Sequence, residues 1–186
     1  MENTDNSLAG FHEKYKRFFT LEKPYGFMIE ELVHSLYAKN DQVQGNYLTA
    51  LGLFCYSEVI GREIMSYKDS STNKERFKNQ KCFDLFLGEY MGYQELLVKY
   101  PNIYDWYRNG LCHNYKIKGS GNSETGVFVY YDPPSILEFK RVGIDTTKGI
   151  LLSQKSQKRH FILRPYLEDF IKGIKKFLHE KASKSS

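Results

Sequence analysis

The sequence predicts a mainly α fold, a helical bundle with a small antiparallel β-sheet inserted before a C-terminal helix. Three observations predict it. Apolar residues recur at helical spacing through most of the first 115 positions. Short β-branched and aromatic runs, separated by turn signals, fill the next stretch. An amphipathic pattern then resumes at Pro165. With 186 residues, no internal repeat and no interdomain linker, the chain reads as one domain over 1–186. Its parts are a helical core over about 8–115, a β-rich insertion over about 116–163 and a helix over about 165–181.

The first helix is expected over 8–20, with Phe11, Tyr15, Phe18 and Phe19 at helical spacing and Asp5 or Asn6 as its cap. Pro24 suits the first turn of a second helix that reaches about Lys39 through Phe27, Ile29, Leu32, Val33, Leu36 and Tyr37 and closes at Asn40-Asp41. The third, over 47–66, should be the most buried. Leu48, Leu51, Leu53, Phe54, Val59, Ile60, Ile64 and Met65 cover most of its circumference, as in a central helix. Within it Glu58 and Arg62 stand four apart, which reads either as a helix-surface ion pair or as a carboxylate that orients Arg108. The polar stretch 67–80 reads as a surface loop.

Helical spacing returns from Cys82 through Phe83, Phe86, Leu87, Tyr90 and Met91 to Leu96, Leu97 and Val98, with Gly92 marking a bend. Asn102 with Asp105 resembles an N-cap with its acidic partner, and Ile103, Tyr107 and Leu111 form a stripe every four residues. A competing signal lies in the same place. Asn109-Gly110 between apolar residues also predicts a type I′ hairpin turn. Both readings stand at this level, with cap and stripe favouring helix.

Beyond Tyr115, the runs 127–131, 136–139, 150–152 and 161–163 read as strands of a small antiparallel sheet. Leu167, Phe170, Ile171, Ile174, Phe177 and Leu178 mark the inner face of the last helix. Glu168 and Asp169 are assigned to its first turn and lysines to its end, in keeping with the helix dipole; 182–186 should fray.

Composition limits the function. Fifteen tyrosines and thirteen phenylalanines predict half-buried aromatic seams whose hydroxyls need partners. Residues 155–186 hold nine Lys/Arg against three Asp/Glu, so the formal net charge of +5 arises in this last sixth of the chain. A basic terminal helix attracts polyanions, which makes Lys172, Lys175 and Lys176 candidate nucleic-acid contacts; a solvated basic face is the plainer alternative. Cys55, Cys82 and Cys112 show no CxxC or His/Cys ligand spacing, so no metal, cofactor or disulfide framework is expected. The polar N-terminus and the lack of an apolar run near about 20 residues predict no membrane association and a cytoplasmic location.

The chemistry concentrates in Asp105-Trp106-Tyr107-Arg108-Asn109-Gly110-Leu111-Cys112-His113-Asn114-Tyr115. Arginine binds phosphate oxygens through a fixed fork of donors, and histidine exchanges a proton near neutral pH. On an ideal α-helix, positions five apart differ by about 140° and ~7.5 Å, so Arg108 and His113 do not share a narrow face, whereas Asn109 and His113 do. A two-fold homodimer would pair two such helices into one cleft. That cleft suits RNA transesterification without a metal. An imidazole takes the 2′-hydroxyl proton while another group protonates the leaving 5′-oxygen, Arg108 stabilises the phosphoryl charge, and Asn109 orients the imidazole or binds phosphate. A thiol nucleophile at Cys112 has no third group to support it.

Arg108-Asn109-Gly110-Leu111-Cys112-His113-Asn114-Tyr115 resembles the signature of the HEPN superfamily: Arg, a polar residue, three more, His, any residue, Tyr. The preceding helices, with Ser57-Glu58-Val59-Ile60-Gly61, also look like small HEPN-like proteins. The resemblance covers roughly 25–115 and the last helix, and the strand-rich segment departs from it. It implies a HEPN-like bundle and a metal-independent, dimeric endoribonuclease of toxin–antitoxin, defence or RNA-processing type. Arg108 and His113 would be its catalytic residues and Asn109 their polar support. Tyr115 matches the tyrosine that a partner nucleotidyltransferase antitoxin modifies in some family pairs. The alternatives are a non-catalytic dimerising scaffold and a nucleic-acid-binding module built on the basic last helix.

Overall fold

A helix begins at Tyr25, directly after Pro24 in the sequence, and its apolar spacing decides which face turns inward. The structure is a computed structural model that describes residues 25–37, 46–69, 78–109, 127–130, 150–152 and 159–184, together with Gly10 and Glu13. Most of the helix expected over 8–20, much of the polar stretch 67–80 and the run 136–139 lie outside these residues.

Helix α1, Tyr25–Tyr37, buries Tyr25, Ile29, Leu32 and Val33 along one stripe. It lies on α2, Asn46–Lys68, the element against which most of the fold packs. Polar contacts set their register. The Ser35 and Thr49 hydroxyls meet at 2.7 Å, the Tyr25 hydroxyl donates to Glu63 at 2.5 Å, and the Tyr56 hydroxyl donates to Glu31. The central place expected for α2 holds, but not burial all round. Leu48 and Val59, eleven residues or about three turns apart, share an exposed face, while Leu53, Phe54, Ser57, Ile60 and Ile64 are enclosed. The helix also runs through Tyr67 and Lys68, which the polar composition assigned to a loop. The Tyr67 ring packs edge-on to Phe177 at 5.7 Å, and that apolar contact outweighs the polar local sequence.

Helix α3, Asn79–Leu85, passes into a wider π turn, Phe86–Tyr90. Met91 N–H bonds the Phe86 carbonyl at 3.0 Å, and Tyr93 N–H bonds that of Leu87 at 3.0 Å. The bend expected at Gly92 is present. Its φ of 80° is a left-handed conformation that a side chain disfavours. Helix α4, Gln94–Lys99, has no fully buried residue. The next helical stretch, Tyr104–Asn109, is again a π turn, with Ile103 and Tyr107 fully enclosed as their stripe predicts.

The strands are β1 (Val127–Tyr130), β2 (Ile150–Leu152) and β3 (Arg159–Ile162), in the order β1-β3-β2. The sheet is mixed, not antiparallel as expected. β2 and β3 are antiparallel, with Ile150 opposite Phe161, but β1 and β3 are parallel, with Val127 opposite Arg159. Here β3 takes the centre, and the connection from β1 is long enough for a parallel crossover. Phe161 ties the sheet to the core, its ring 4.7 Å from Phe54 and 4.9 Å from Tyr166.

Helix α5, Leu163–Lys184, is longer than expected at both ends, so Ala182 to Lys184 are helical where fraying was expected. Pro165 lies in its first turn, where a missing N–H costs nothing. The earlier start moves Glu168 and Asp169 out of the first turn, so neither has the dipole role assigned to it. Asp169 is instead buried, accepting from the Tyr93 hydroxyl at 3.0 Å and from Lys172 at 3.0 Å.

An aromatic cluster fills the centre. Phe54 lies within 5.8 Å of the rings of Phe83, Tyr107, Phe161 and Tyr166. Many of the described tyrosine hydroxyls find partners, chiefly carboxylates, whereas the buried Tyr67 hydroxyl has no hydrogen-bond partner among the described residues. Tyr25, Tyr56, Tyr90, Tyr93 and Tyr104 each donate to a Glu or Asp, and Tyr166 meets Ser57 at 2.9 Å. Among the described residues, no helix is long and apolar enough to cross a membrane.

Candidate functional site

Two helices meet with almost no space between them at Gly61. A Cβ there would lie 1.9 Å from the Cys82 carbonyl oxygen, so α2 and α3 cross nearly backbone to backbone. This crossing brings Glu58 and Arg62 of α2 beside the start of α3 and the second π turn. The site is built there.

Glu58 is the centre of it. Its side chain is only 11% exposed. The Arg108 Nε–H donates to Glu58 Oε2 at 3.1 Å, and the Tyr104 hydroxyl donates to the same oxygen at 2.9 Å. Arg62, one turn along α2, stands 4.0 Å from the other oxygen, Oε1, and donates to the Asn79 side-chain carbonyl. The Arg108 guanidinium carbon lies 5.9 Å from the centre of the Tyr104 ring, within cation–π range. A carboxylate with little water around it is stabilised by donors and charges held in place; Tyr104 and Arg108 supply the donors, and Arg62, fixed by Asn79, supplies a second positive charge. Burial, then the hydrogen bond to Glu58, pushes the Tyr104 hydroxyl up to about 12, so it stays protonated and donating through the physiological range.

Of the two readings of Glu58, the geometry has features of both. It pairs weakly with Arg62 on its own helix, and it binds Arg108 directly across fifty residues of sequence. Asn109 ends the second π turn, so the helical reading of the stretch holds up to that residue. The turn is π rather than α as far as Asn109, and the Arg108–His113 separation reaches into residues outside those described. Gly110, Cys112, His113 and Tyr115 lie outside the described residues.

Lys172, Lys175 and Lys176 are exposed on α5. Lys172 pairs with Asp169, and Lys176 donates to the Glu89 carbonyl at 2.8 Å and sits over the Tyr90 ring. Lys172 and Lys176 thus also make contacts within the chain. Among the described residues no group of three His, Cys, Asp or Glu is placed to hold a metal.

Sequence reasoning passed over Tyr104, Asn79 and Gly61 as parts of this site. The four-residue spacing of Tyr104 and Arg108 on one helical stretch could have flagged the first. Asn79 had no signal, since only the crossing brings it to Arg62.

Asp84, on α3, is a separate ionisable feature. Burial pushes its carboxyl up from its ordinary value to about 6, and its Oδ1 has no hydrogen-bond partner among the described residues. The folded chain therefore binds more protons than the unfolded one between the ordinary carboxylate pKa and about 6. Stability from this group falls as pH rises through that window. Asp84→Asn should raise the melting temperature relative to wild type more at about pH 8 than at about pH 4.5. Thermal melts at the two pH values check this, and equal shifts at both would contradict it.

Comparison with known proteins finds no matching family model, no matching curated protein and no matching solved structure. The described residues define a mainly helical chain with a buried Glu–Tyr–Arg cluster where three elements meet.

Proposed function

We propose that this chain is a HEPN-type, metal-independent endoribonuclease. The observation that carries the reading is the Arg108–Glu58 pair, in which a buried carboxylate holds the arginine of the Arg-Asn-x-x-x-His-x-Tyr motif by its Nε. An anchored guanidinium loses less freedom on meeting a phosphate than a mobile one does. In this reading His113 accepts the ribose 2′-hydroxyl proton, the 2′-oxygen attacks phosphorus as the P–O5′ bond breaks, a protonated imidazole of the second copy gives its proton to the leaving 5′-oxygen, and Arg108 neutralises charge growing on the phosphoryl oxygens. The products are a 2′,3′-cyclic phosphate and a 5′-hydroxyl. Asn109 supports the imidazole, a second copy of the chain completes the cleft, and Tyr115 is the point at which a nucleotidyltransferase antitoxin would act.

The test is cleavage of single-stranded RNA by purified protein. Arg108→Ala and His113→Ala should each lower the rate by about 100-fold or more with the circular dichroism spectrum unchanged, and EDTA should leave the wild-type rate as it was. Cleavage that persists in His113→Ala rules the assignment out.

One observation favours a second reading, a non-catalytic dimerising scaffold. Arg108 is already paired and its side chain is only 20% exposed, as a structural ion pair would be. The scaffold reading expects Arg108→Ala to lose stability, with no nuclease activity in the wild type to lose.

A further inference from the structure

We infer that Tyr104 is the positioning residue for Arg108, fixing the Glu58 oxygen that the arginine binds so that the guanidinium is set for an RNA phosphate. The role in catalysis rests on the nuclease reading above. Glu58 has cations on both sides, with Arg108 on Oε2 at 3.1 Å and Arg62 at 4.0 Å from Oε1. A carboxylate between two guanidiniums can turn toward either. The Tyr104 hydroxyl removes this choice, because it donates at 2.9 Å to the oxygen that Arg108 uses. Tyr104 is itself held. It is 6% exposed, and its ring stands edge-on to Phe83 at 5.4 Å. Two donors from one π turn thus converge on one oxygen of a residue on another helix. Since the hydroxyl stays protonated up to about 12, this positioning is independent of pH wherever a histidine titrates.

The experiment compares wild type, Tyr104→Phe and Arg108→Ala. Phenylalanine keeps the ring against Phe83 and deletes only the donor. Each protein is labelled with 15N, and exchange of the Arg108 Nε–H with water is followed, the signal being assigned by its loss in Arg108→Ala. The same proteins are assayed for kcat and KM on a pool of fluorescently labelled single-stranded RNA oligonucleotides. In Tyr104→Phe, the Nε–H should exchange about 10-fold faster. Its kcat should fall about 10-fold, with KM within about twofold of wild type and a pH profile parallel to wild type. A purely structural tyrosine would lower the melting temperature without moving the Nε–H rate or separating kcat from KM.

An unchanged Nε–H exchange rate in folded Tyr104→Phe overturns the positioning role, whatever the activity. Faster exchange with kcat unchanged overturns its part in catalysis. A wild-type chain that cleaves none of the oligonucleotides overturns the nuclease reading, and the exchange rate then decides by itself whether Tyr104 positions Arg108.

Discussion

Gly61→Ala is expected to destabilise the protein by about 3 kcal/mol, at the upper end of what overpacking costs. The added methyl would stand 1.9 Å from the Cys82 carbonyl oxygen and 2.5 Å from its carbon. Both are backbone atoms, so no rotamer change relieves the clash, and α2 and α3 must separate along their crossing. Alanine's better helix propensity returns about 1 kcal/mol, which is too little to reverse the sign. Urea denaturation should show the midpoint falling with the slope unchanged. Wild-type stability in this variant would mean that the crossing is wider than described. The site should also suffer, because Glu58 and Arg62 lie on one side of the crossing and Asn79 on the other. On the nuclease reading, RNA cleavage, measured where the variant is still folded, should fall with it.

Glu58→Ala should cost about 2–4 kcal/mol, because it removes the acceptor shared by Tyr104 and Arg108 from a largely buried position. Glu58→Gln should cost less, since its amide oxygen still accepts one hydrogen bond. A double-mutant cycle isolates the pair. Once Glu58 is alanine, adding Arg108→Ala should cost clearly less than it does in the wild type. Strict additivity of the two losses, measured by urea denaturation, would show that the contact contributes nothing. On the nuclease reading, Glu58→Ala should also lower kcat more than it raises KM, because a mobile guanidinium can still bind phosphate but meets the transition state less often in the right place.

Much of the helical order was legible because it is local. Ile29, Leu32 and Val33 on α1, and Phe170, Ile171, Ile174 and Phe177 on α5, carry their buried faces in their spacing, whereas Phe27, read with them on α1, is exposed. The errors fall where a long-range contact overrode a local preference. Tyr67 and Lys68 extend α2 although their neighbours are polar, and Glu168 and Asp169 lost their place in the first turn when α5 began at Leu163. Strand direction failed for a related reason. Composition marks a strand, but pairing depends on which strand reaches the centre, and β3 reached it through Phe161 in the aromatic core.

The candidate site divides along the same line. The sequence alone determined that an arginine, a polar residue and a histidine stand together between positions 108 and 113, and it offered Glu58 as one candidate carboxylate for the arginine. Tertiary structure alone decided that Glu58 meets Arg108, that Tyr104 shares its oxygen, and that Asn79 joins through Arg62. Spacing along a chain records which residues share a face. It does not record which faces meet, since that depends on how closely two helices approach. Here the approach is set by one glycine with no side chain to keep α2 and α3 apart.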